Sequence, residues 1–312
     1  MSDLKLFTLK NNTVTELKGQ AADLEKDLQN LIEAHMETFL GVRFLVREYT
    51  TGKTHKGRID SLGLDENNAP VIVEYKRHQT ENVINQGLFY LDWLMDHQAE
   101  FQLLTQQKIG SEAAERIEWS GTRLICVASN FNRYDAHAVQ QIERNIDLIR
   151  YRYFGEDLLA LELIHAHDTS AVNKRDKTCK PERAAAPELQ KASADKTQQE
   201  RLAIASPELI ALYDSLCDYT EQLGDEVQRK ELKLYTAFKL IKNFACFIML
   251  PQKKDPRLQL TLKLPGEDSA DGFMQDASNK GHWGTGDLLV NVRSADDVER
   301  AKALILQSYE NA

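Results

Sequence analysis

The stretch GRIDSLGLDENNAPVIVEYKR at positions 57–77 reads as a β-hairpin and places an Asp, a Glu and a Lys where a sheet normally avoids charge. Asp60 lies inside the first predicted strand, and Glu74 and Lys76 lie near the end of the second. With the turn centred near Asn67, antiparallel pairing places Asp60 directly opposite Glu74. Opposed like charges destabilise a sheet, so this pairing predicts a cation that offsets the repulsion.

A divalent metal ion, Mg²⁺ or Mn²⁺, is the cation that this pair favours. Hard ions bind through one or two carboxylates and keep several waters for substrate oxygens. Lys76 projects to the same face as Glu74, because residues two apart in a strand point the same way. Such a group polarises a phosphate, lowers the pKa of a bound water, and lets the lysine orient or deprotonate that water. The alternative is a solvated strand end with an ordinary salt bridge.

The elements around the hairpin are the ones that must position these residues. Upstream, AADLEKDLQNLIEAHMETFL has apolar residues at nearly helical spacing and ends at Gly41. The alternating stretch Arg43–Tyr49 predicts a strand, followed by the hairpin strands Gly57–Leu64 and Pro70–Arg77.

Downstream elements continue the alternation of helix and strand. Thr80–Leu104 predicts one long, largely buried helix, and the apolar run Arg123–Ser129 predicts a central strand. Asp135–Asn145 predicts a further helix, and Ile146–Phe154 and Leu158–Ile164 predict two more strands. This order is typical of a mixed α/β layered fold.

The amino-acid composition of the sequence changes after about residue 166. Residues 167–205 are rich in Lys, Ala, Asp and Gln, which predicts a flexible linker. Residues 206–312 then predict a smaller α+β domain whose first and last elements are helices. The predicted division is therefore 1–166, 167–205 and 206–312.

Composition narrows the class of protein. The chain has 312 residues, 42% of them hydrophobic and 28% charged, as expected for a globular protein. We find no apolar run long enough to span a bilayer and no signal-peptide pattern at the start, which predicts a cytoplasmic protein without a membrane partner. The four cysteines are far apart and form no CxxC pair, which argues against a zinc site or a disulfide framework. The net charge of −9 does not by itself indicate nucleic-acid binding, although a local basic cluster would suffice for it.

The arrangement of Asp60 and the Glu74-Tyr75-Lys76 triplet on consecutive strands, with a helix before and a helix after, resembles the PD-(D/E)xK nuclease superfamily. Residues 20–165 are similar to the subgroup that contains the NucS/EndoMS endonucleases, through LEKDLQNLIEAHMETFL, the hairpin stretch and NQGLFYLDWL. Ile59 stands where the superfamily usually has proline. The resemblance implies a restriction-endonuclease-like mixed sheet flanked by helices, with an uncharacterised α+β domain behind it.

The resemblance also assigns roles to individual residues. Asp60, Glu74, Lys76, Gln86 and Tyr90 match the catalytic positions. Glu25, Asp60, Glu74 and the Tyr75 carbonyl match the metal-binding positions. Several of these have ordinary structural alternatives, above all Tyr90, which lies in an apolar helix, and Glu25, which has acidic neighbours.

Basic residues ring the proposed site and are candidates for contact with a phosphate backbone: Lys53, Lys56, Arg58, Arg77 and His78. In the last third of the chain, lysines alternate with Tyr235, Phe238 and Phe244, which we interpret chiefly as core residues. His282 and Trp283, between glycines, form a second candidate binding patch.

The leading hypothesis is a Mg²⁺- or Mn²⁺-dependent endonuclease that hydrolyses DNA, in repair or in phage defence. We expect a homodimer, since two active sites cut both strands of a duplex, and a C-terminal domain that recognises substrate or a protein partner. The alternative is a nuclease-like fold that only binds nucleic acid or protein. The sequence leaves the DNA structure recognised, and the choice of DNA over RNA, open.

Overall fold

The chain forms two units, residues 1–167 and 168–312, each with a hydrophobic core of its own. The structure, a computed structural model, describes residues 4–22, 25–52, 57–76, 83–142, 144–167, 196–278 and 285–312. Predicted site residues Lys53, Lys56, Arg77 and His78 lie outside these ranges, as do Cys179, His282 and Trp283.

The first unit is built on a mixed sheet of seven strands. Its strands are β3 (Gly19–Gln20), β4 (Val42–Thr50), β5 (Arg58–Asp65), β6 (Pro70–Lys76), β7 (Arg123–Ala128), β8 (Asn145–Phe154) and β9 (Leu158–His167). They are ordered β3-β8-β7-β6-β5-β4, with β9 also paired to β8. The pairs β6–β7 and β7–β8 are parallel and the others are antiparallel. A separate hairpin, β1 (Leu6–Lys10) and β2 (Thr13–Leu17), precedes this sheet.

Six helices accompany the sheet in the described part of this unit. They are α1 (Glu25–Ala34), α2 (Met36–Leu40), α3 (Val83–Asp96), α4 (Gln98–Lys108), α5 (Ser111–Glu115) and α6 (Arg133–Gln140). The long helix predicted over Thr80–Leu104 is wrong in one respect, because the chain breaks at His97 into α3 and α4. His97 has φ −115° and ψ 37°, outside the helical region, and its ring Nδ1 lies 2.8 Å from the Trp93 carbonyl oxygen.

The strand at the centre of the sheet is apolar and fully covered. All six residues of β7 are buried, as expected for a parallel strand between two layers. On one face Leu124 and Cys126 pack with Leu91 and Leu94 of α3. A mixed sheet flanked by helices was the predicted fold, and this prediction is confirmed.

The turn of the β5–β6 hairpin is fixed by a buried ionic group. Asp65 accepts hydrogen bonds from the amides of Asn67 and Ala69, at 2.9 Å each. Arg123 is 3% exposed and pairs with Asp65, at 3.3 Å, and with Asp147 of β8. Three strands are thus tied together at this end of the sheet.

The second unit has an antiparallel sheet of six strands in the order β10-β11-β12-β13-β15-β14. The strands are β10 (Gln228–Glu231), β11 (Thr236–Lys239), β12 (Asn243–Leu250), β13 (Arg257–Leu262), β14 (Met274–Asp276) and β15 (Leu288–Val292). Helices α7 (Gln198–Ile204), α8 (Pro207–Glu221) and α9 (Ala295–Glu310) complete it. Tyr235, Phe238 and Phe244 are buried, so they serve as core and not as a stacking surface for bases.

The packed part of this unit begins earlier than the predicted residue 206. Gln198, the first residue of α7, is 1% exposed and bridges to β12: its amide donates to the Phe247 carbonyl and its oxygen accepts from the Met249 amide. The end of the predicted linker therefore belongs to a folded element. Among the described residues, no helix combines the length and the apolar character needed to cross a bilayer.

Candidate active site

The open end of the β5–β6 hairpin, opposite its turn, carries the two predicted carboxylates. Leu62 pairs with Ile72, which confirms the predicted register, and the ladder ends at Ser61 and Val73. Beyond the Ser61–Val73 pair, the two strands are joined by hydrogen bonds from backbone amides to side-chain carboxylates. The Asp60 amide donates to Glu74 Oε1 and the Tyr75 amide donates to Asp60 Oδ2, each at 3.1 Å.

These reciprocal bonds hold two acidic groups in a buried place. Burial, and next the charge of Asp60, raise the pKa of Glu74 to about 9. Burial also raises the pKa of Asp60, against the opposing effects of the Tyr75 amide and of the Lys76 charge. The two carboxyl groups are close enough to share a hydrogen bond once one of them carries a proton.

Glu74 Oε2 is buried and receives no hydrogen bond within the described part of the chain. A buried carboxylate oxygen without a donor is costly, and it lies beside another carboxylate. A proton or a cation would satisfy both groups at once. A divalent ion held by two carboxylates and several waters fits this donor set.

Lys76 joins the carboxylates to the first helix. Its ammonium lies 3.7 Å from Glu25 Oε1, at the start of α1, and its side chain is only 12% exposed. Glu25 is also close enough to raise the pKa of Asp60. The structure thus brings together four residues that the sequence singled out: Glu25, Asp60, Glu74 and Lys76.

Gln86 and Tyr90 lie against the beginning of β5. The Tyr90 hydroxyl accepts from the Arg58 amide at 3.2 Å and from the Gln86 amide at 3.4 Å. A Cβ at Gly57 would lie 2.4 Å from the Tyr90 ring, so glycine is what lets the ring approach. This contact fixes the strand two residues before Asp60. The Arg58 side chain is exposed, and its guanidinium lies 3.6 Å from Glu48.

A second polar group lies on the other side of Asp60 and was not anticipated from the sequence. Gln29 and Glu33 of α1 are polar residues on a buried helix face, alongside Leu28 and Ile32. Gln29 contacts the Asp60 carbonyl. Polar residues four apart within the apolar stripe of a helix are the signal that would have found them.

No cluster of three or more His, Cys, Asp and Glu side chains able to hold a metal occurs within the described ranges. The metal-binding roles of Asp60, Glu74 and Glu25 stay predictions. Metal binding by the Tyr75 carbonyl stays a prediction. Phosphate contact also stays a prediction for Lys53, Lys56, Arg77 and His78.

Comparison with known proteins gives two family matches. Residues 24–130 match the model described as Endonuclease NucS C-terminal domain, and residues 199–312 match Domain of unknown function (DUF5655). An uncharacterized protein of Haemophilus influenzae is 30% identical over 313 residues, covering 99% of this chain and 100% of its own length. The chain belongs to the family of that protein. The predicted resemblance to a NucS-like nuclease followed by an extra domain is confirmed by these matches.

Two solved structures are also similar over part of the chain. An EndoMS complex with double-stranded DNA is 19% identical, covering 44% of this chain and 50% of its own, with a TM-score of 0.29. A repair endonuclease from Pyrococcus abyssi is 20% identical, covering 42% and 48%, with a TM-score of 0.28. Our chain thus spans about half the length of these endonucleases.

Proposed function

We propose that the first unit is a metal-dependent endonuclease that hydrolyses phosphodiester bonds of DNA. The observation that carries the proposal is the buried Asp60–Glu74 pair, with the donor-free Glu74 Oε2 and Lys76 beside it. Support for the substrate class comes from the family match over residues 24–130, which contain every member of this group.

Asp60 and Glu74 are the residues that would hold the ion, Mg²⁺ or Mn²⁺, with the Tyr75 carbonyl as a further ligand. When bound, such an ion stabilises charge on the phosphate and makes a bound water more acidic. Without an ion, the pair retains a proton at neutral pH, because the pKa of Glu74 is about 9. The site therefore binds an ion in place of a proton.

Lys76 has the role of orienting the attacking water or stabilising the charge that develops on the phosphate. Its contact with Glu25 keeps the ammonium directed toward the site and limits its rotation. Gln86 and Tyr90 act from the opposite side, since they hold the strand that carries Asp60. The exposed side chain of Arg58 is a candidate for contact with the phosphate backbone of DNA. The sequence alone suggests the same role for Lys53, Lys56, Arg77 and His78.

Three further parts of the proposal concern the whole protein. We propose a cytoplasmic homodimer whose two sites act on opposite strands. The second unit would recognise the substrate or a protein partner. Repair and phage defence are both settings in which such an enzyme acts.

Cleavage of a panel of labelled substrates tests this function. Wild-type protein should cut at least one of duplex, mismatched, branched or single-stranded DNA in Mg²⁺ or Mn²⁺ and none in chelator. Asp60→Asn should abolish cleavage and most of the stabilisation by divalent ions. Lys76→Ala should abolish cleavage yet keep that stabilisation, because the lysine is not a ligand.

Matched surface variants control for loss of charge. Asp157→Asn removes an exposed carboxylate in the β8–β9 turn, and Lys108→Ala removes an exposed lysine at the end of α4. Both should cleave like the wild type. If Asp60→Asn or Lys76→Ala also cleaves at the wild-type rate, the endonuclease proposal is wrong at this site. DNA binding without cleavage by the wild type would favour a nuclease fold used only for binding.

A further inference from the structure

Gln29 contacts the backbone of Asp60 from the helix side of the sheet. Gln29 is 8% exposed, and its side-chain amide nitrogen lies 3.2 Å from the Asp60 carbonyl oxygen and 2.9 Å from Glu33 Oε1. The amide group carries two protons, so it can donate to both oxygens at once. The bond to the carbonyl occurs one residue past the end of the β5–β6 ladder.

Glu33 fixes the orientation of that amide. Its Oε1 also accepts from Ser61 Oγ at 2.7 Å, and its Oε2 lies 3.0 Å from the Arg47 guanidinium. A flipped Gln29 amide would point its oxygen at two acceptors. The nitrogen therefore faces Asp60 and Glu33, and the contacts lock the glutamine between a helix and two strands.

We propose that Gln29 is a positioning residue for the metal-binding carboxylate of Asp60, with Glu33 as its support. This inference rests on the proposed function. The strand ends its regular pairing where Asp60 must turn its carboxylate toward Glu74, and Gln29 supplies the hydrogen bond that the ladder no longer gives. Gln29 sets the position of Asp60 and does not contact the substrate itself.

The test replaces Gln29 by methionine, which has similar length but no amide. Partners that orient metal ligands change metal affinity by about 10–100-fold when they are removed. Gln29→Met should therefore raise by about 10-fold the Mn²⁺ or Mg²⁺ concentration that gives half of the ion-induced rise in melting temperature. For cleavage at saturating metal, KM for DNA should stay unchanged while kcat falls.

Gln102→Met is the matched control. Gln102 of α4 is an exposed residue whose side-chain amide also donates to a backbone carbonyl, that of the buried Ala114, at 3.2 Å. Loss of this hydrogen bond should lower the melting temperature in chelator. It should not change the metal concentration that gives half of the ion-induced rise in melting temperature. A lower melting temperature for Gln29→Met with an unchanged metal midpoint would overturn the proposal, because the residue would then be structural only.

Two variants of Glu33 keep the test decisive if Gln29→Met folds poorly. Glu33→Gln retains an oxygen that accepts from Gln29, so its metal midpoint should stay near that of the wild type. Glu33→Leu removes the acceptor and should behave like Gln29→Met. If the two Glu33 variants need the same metal concentration for half of the ion-induced rise in melting temperature, Glu33 does not orient Gln29. If the wild type itself shows neither ion-induced stabilisation nor cleavage, the proposed function fails, and this inference fails with it.

Discussion

At the scale of single residues, the fold favours the protonated form of Glu74 below about pH 9 when no cation is bound. Its pKa in the folded chain is about 9, against an ordinary value of 4.5, first because it is buried and next because Asp60 is near. Folding therefore favours the form that carries a proton. Between the two pKa values the folded state binds the proton and the unfolded state does not, so stability must fall as pH rises.

This linkage predicts a pH-dependent melting temperature in chelator. Below about pH 4.5 the group should contribute no slope, and from there to about pH 9 it should lower stability with each unit of pH. Glu74→Gln should remove much of that slope, since the amide does not titrate. Thermal denaturation from pH 5 to 9 measures it. A slope that is the same in both proteins would rule out the proposed proton on Glu74.

Asp60→Asn provides an independent prediction for the same pair. Removing the Asp60 charge should lower the pKa of Glu74 and raise stability in chelator near pH 9, where the wild-type pair begins to carry two negative charges. Addition of Mg²⁺ or Mn²⁺ should then stabilise the variant less than the wild type. Chemical denaturation with and without the ion gives both numbers. A variant that is less stable than the wild type in chelator near pH 9 contradicts the repulsion.

Part of this site could be predicted from sequence and part could not. Alternation and a turn near Asn67 are enough to place Asp60 against Glu74, because a register depends on local spacing. The contact between Lys76 and Glu25 joins residues 51 positions apart, so it was accessible only through family resemblance. Helical spacing places Gln29 on the buried face of α1, but its contact with Asp60 depends on where the β5–β6 ladder stops, which helical spacing alone does not reveal.

At the scale of elements, the approach of α3 to the sheet depends on Gly87. A Cβ at this position would lie 2.4 and 2.5 Å from the two terminal methyl carbons of Leu124 in β7. Leu124 is fully buried, so its side chain has little room to move. Because residue 87 has no Cβ, helix α3, which carries Gln86 and Tyr90, can pack closely against the central strand β7.

Gly87→Ala should destabilise the first unit by up to about 2 kcal/mol. Overpacking in a well-packed core costs about 1–3 kcal/mol, and the better helix propensity of alanine offsets up to about 1 kcal/mol of that. A double-mutant cycle with Leu124→Ala measures the clash by urea denaturation. The two changes should be less than additive, and strict additivity would show that the methyl group meets no obstacle.

Elements themselves were easier to predict than their ends. The apolar stretch at 124–128 and the alternating hairpin identify β7, β5 and β6 directly. The break at His97 was missed, because the apolar pattern continues through it into α4. There the Glu100 carboxylate bonds to the Tyr49 hydroxyl and Phe101 enters the core, so tertiary contacts beyond the helix decide the direction of the chain.

At the scale of the whole molecule, the two units have separate cores and match separate families. Residues 1–167 and 196–312, produced as separate fragments, should each unfold in one cooperative transition. Circular dichroism during heating measures this. A fragment that lacks a transition would show that its core needs the other unit.

Quaternary structure is a prediction at the same scale. A homodimer allows two equivalent sites to act on the two strands of a duplex, and two-fold dimers are the commonest closed assemblies. Light scattering of the whole chain, with and without DNA, should give twice the mass of 35.6 kDa. A monomer mass under both conditions contradicts the prediction.

The reciprocal bonds at the open end of the hairpin also make the protein its own spectroscopic probe. The backbone amide protons of Asp60 and Tyr75 each point at a carboxylate oxygen of the site. Their nitrogen and proton chemical shifts must respond whenever that oxygen gains a proton or a metal ion. Two resonances in an amide correlation spectrum can therefore report the occupancy of the site, without a label, a substrate or turnover.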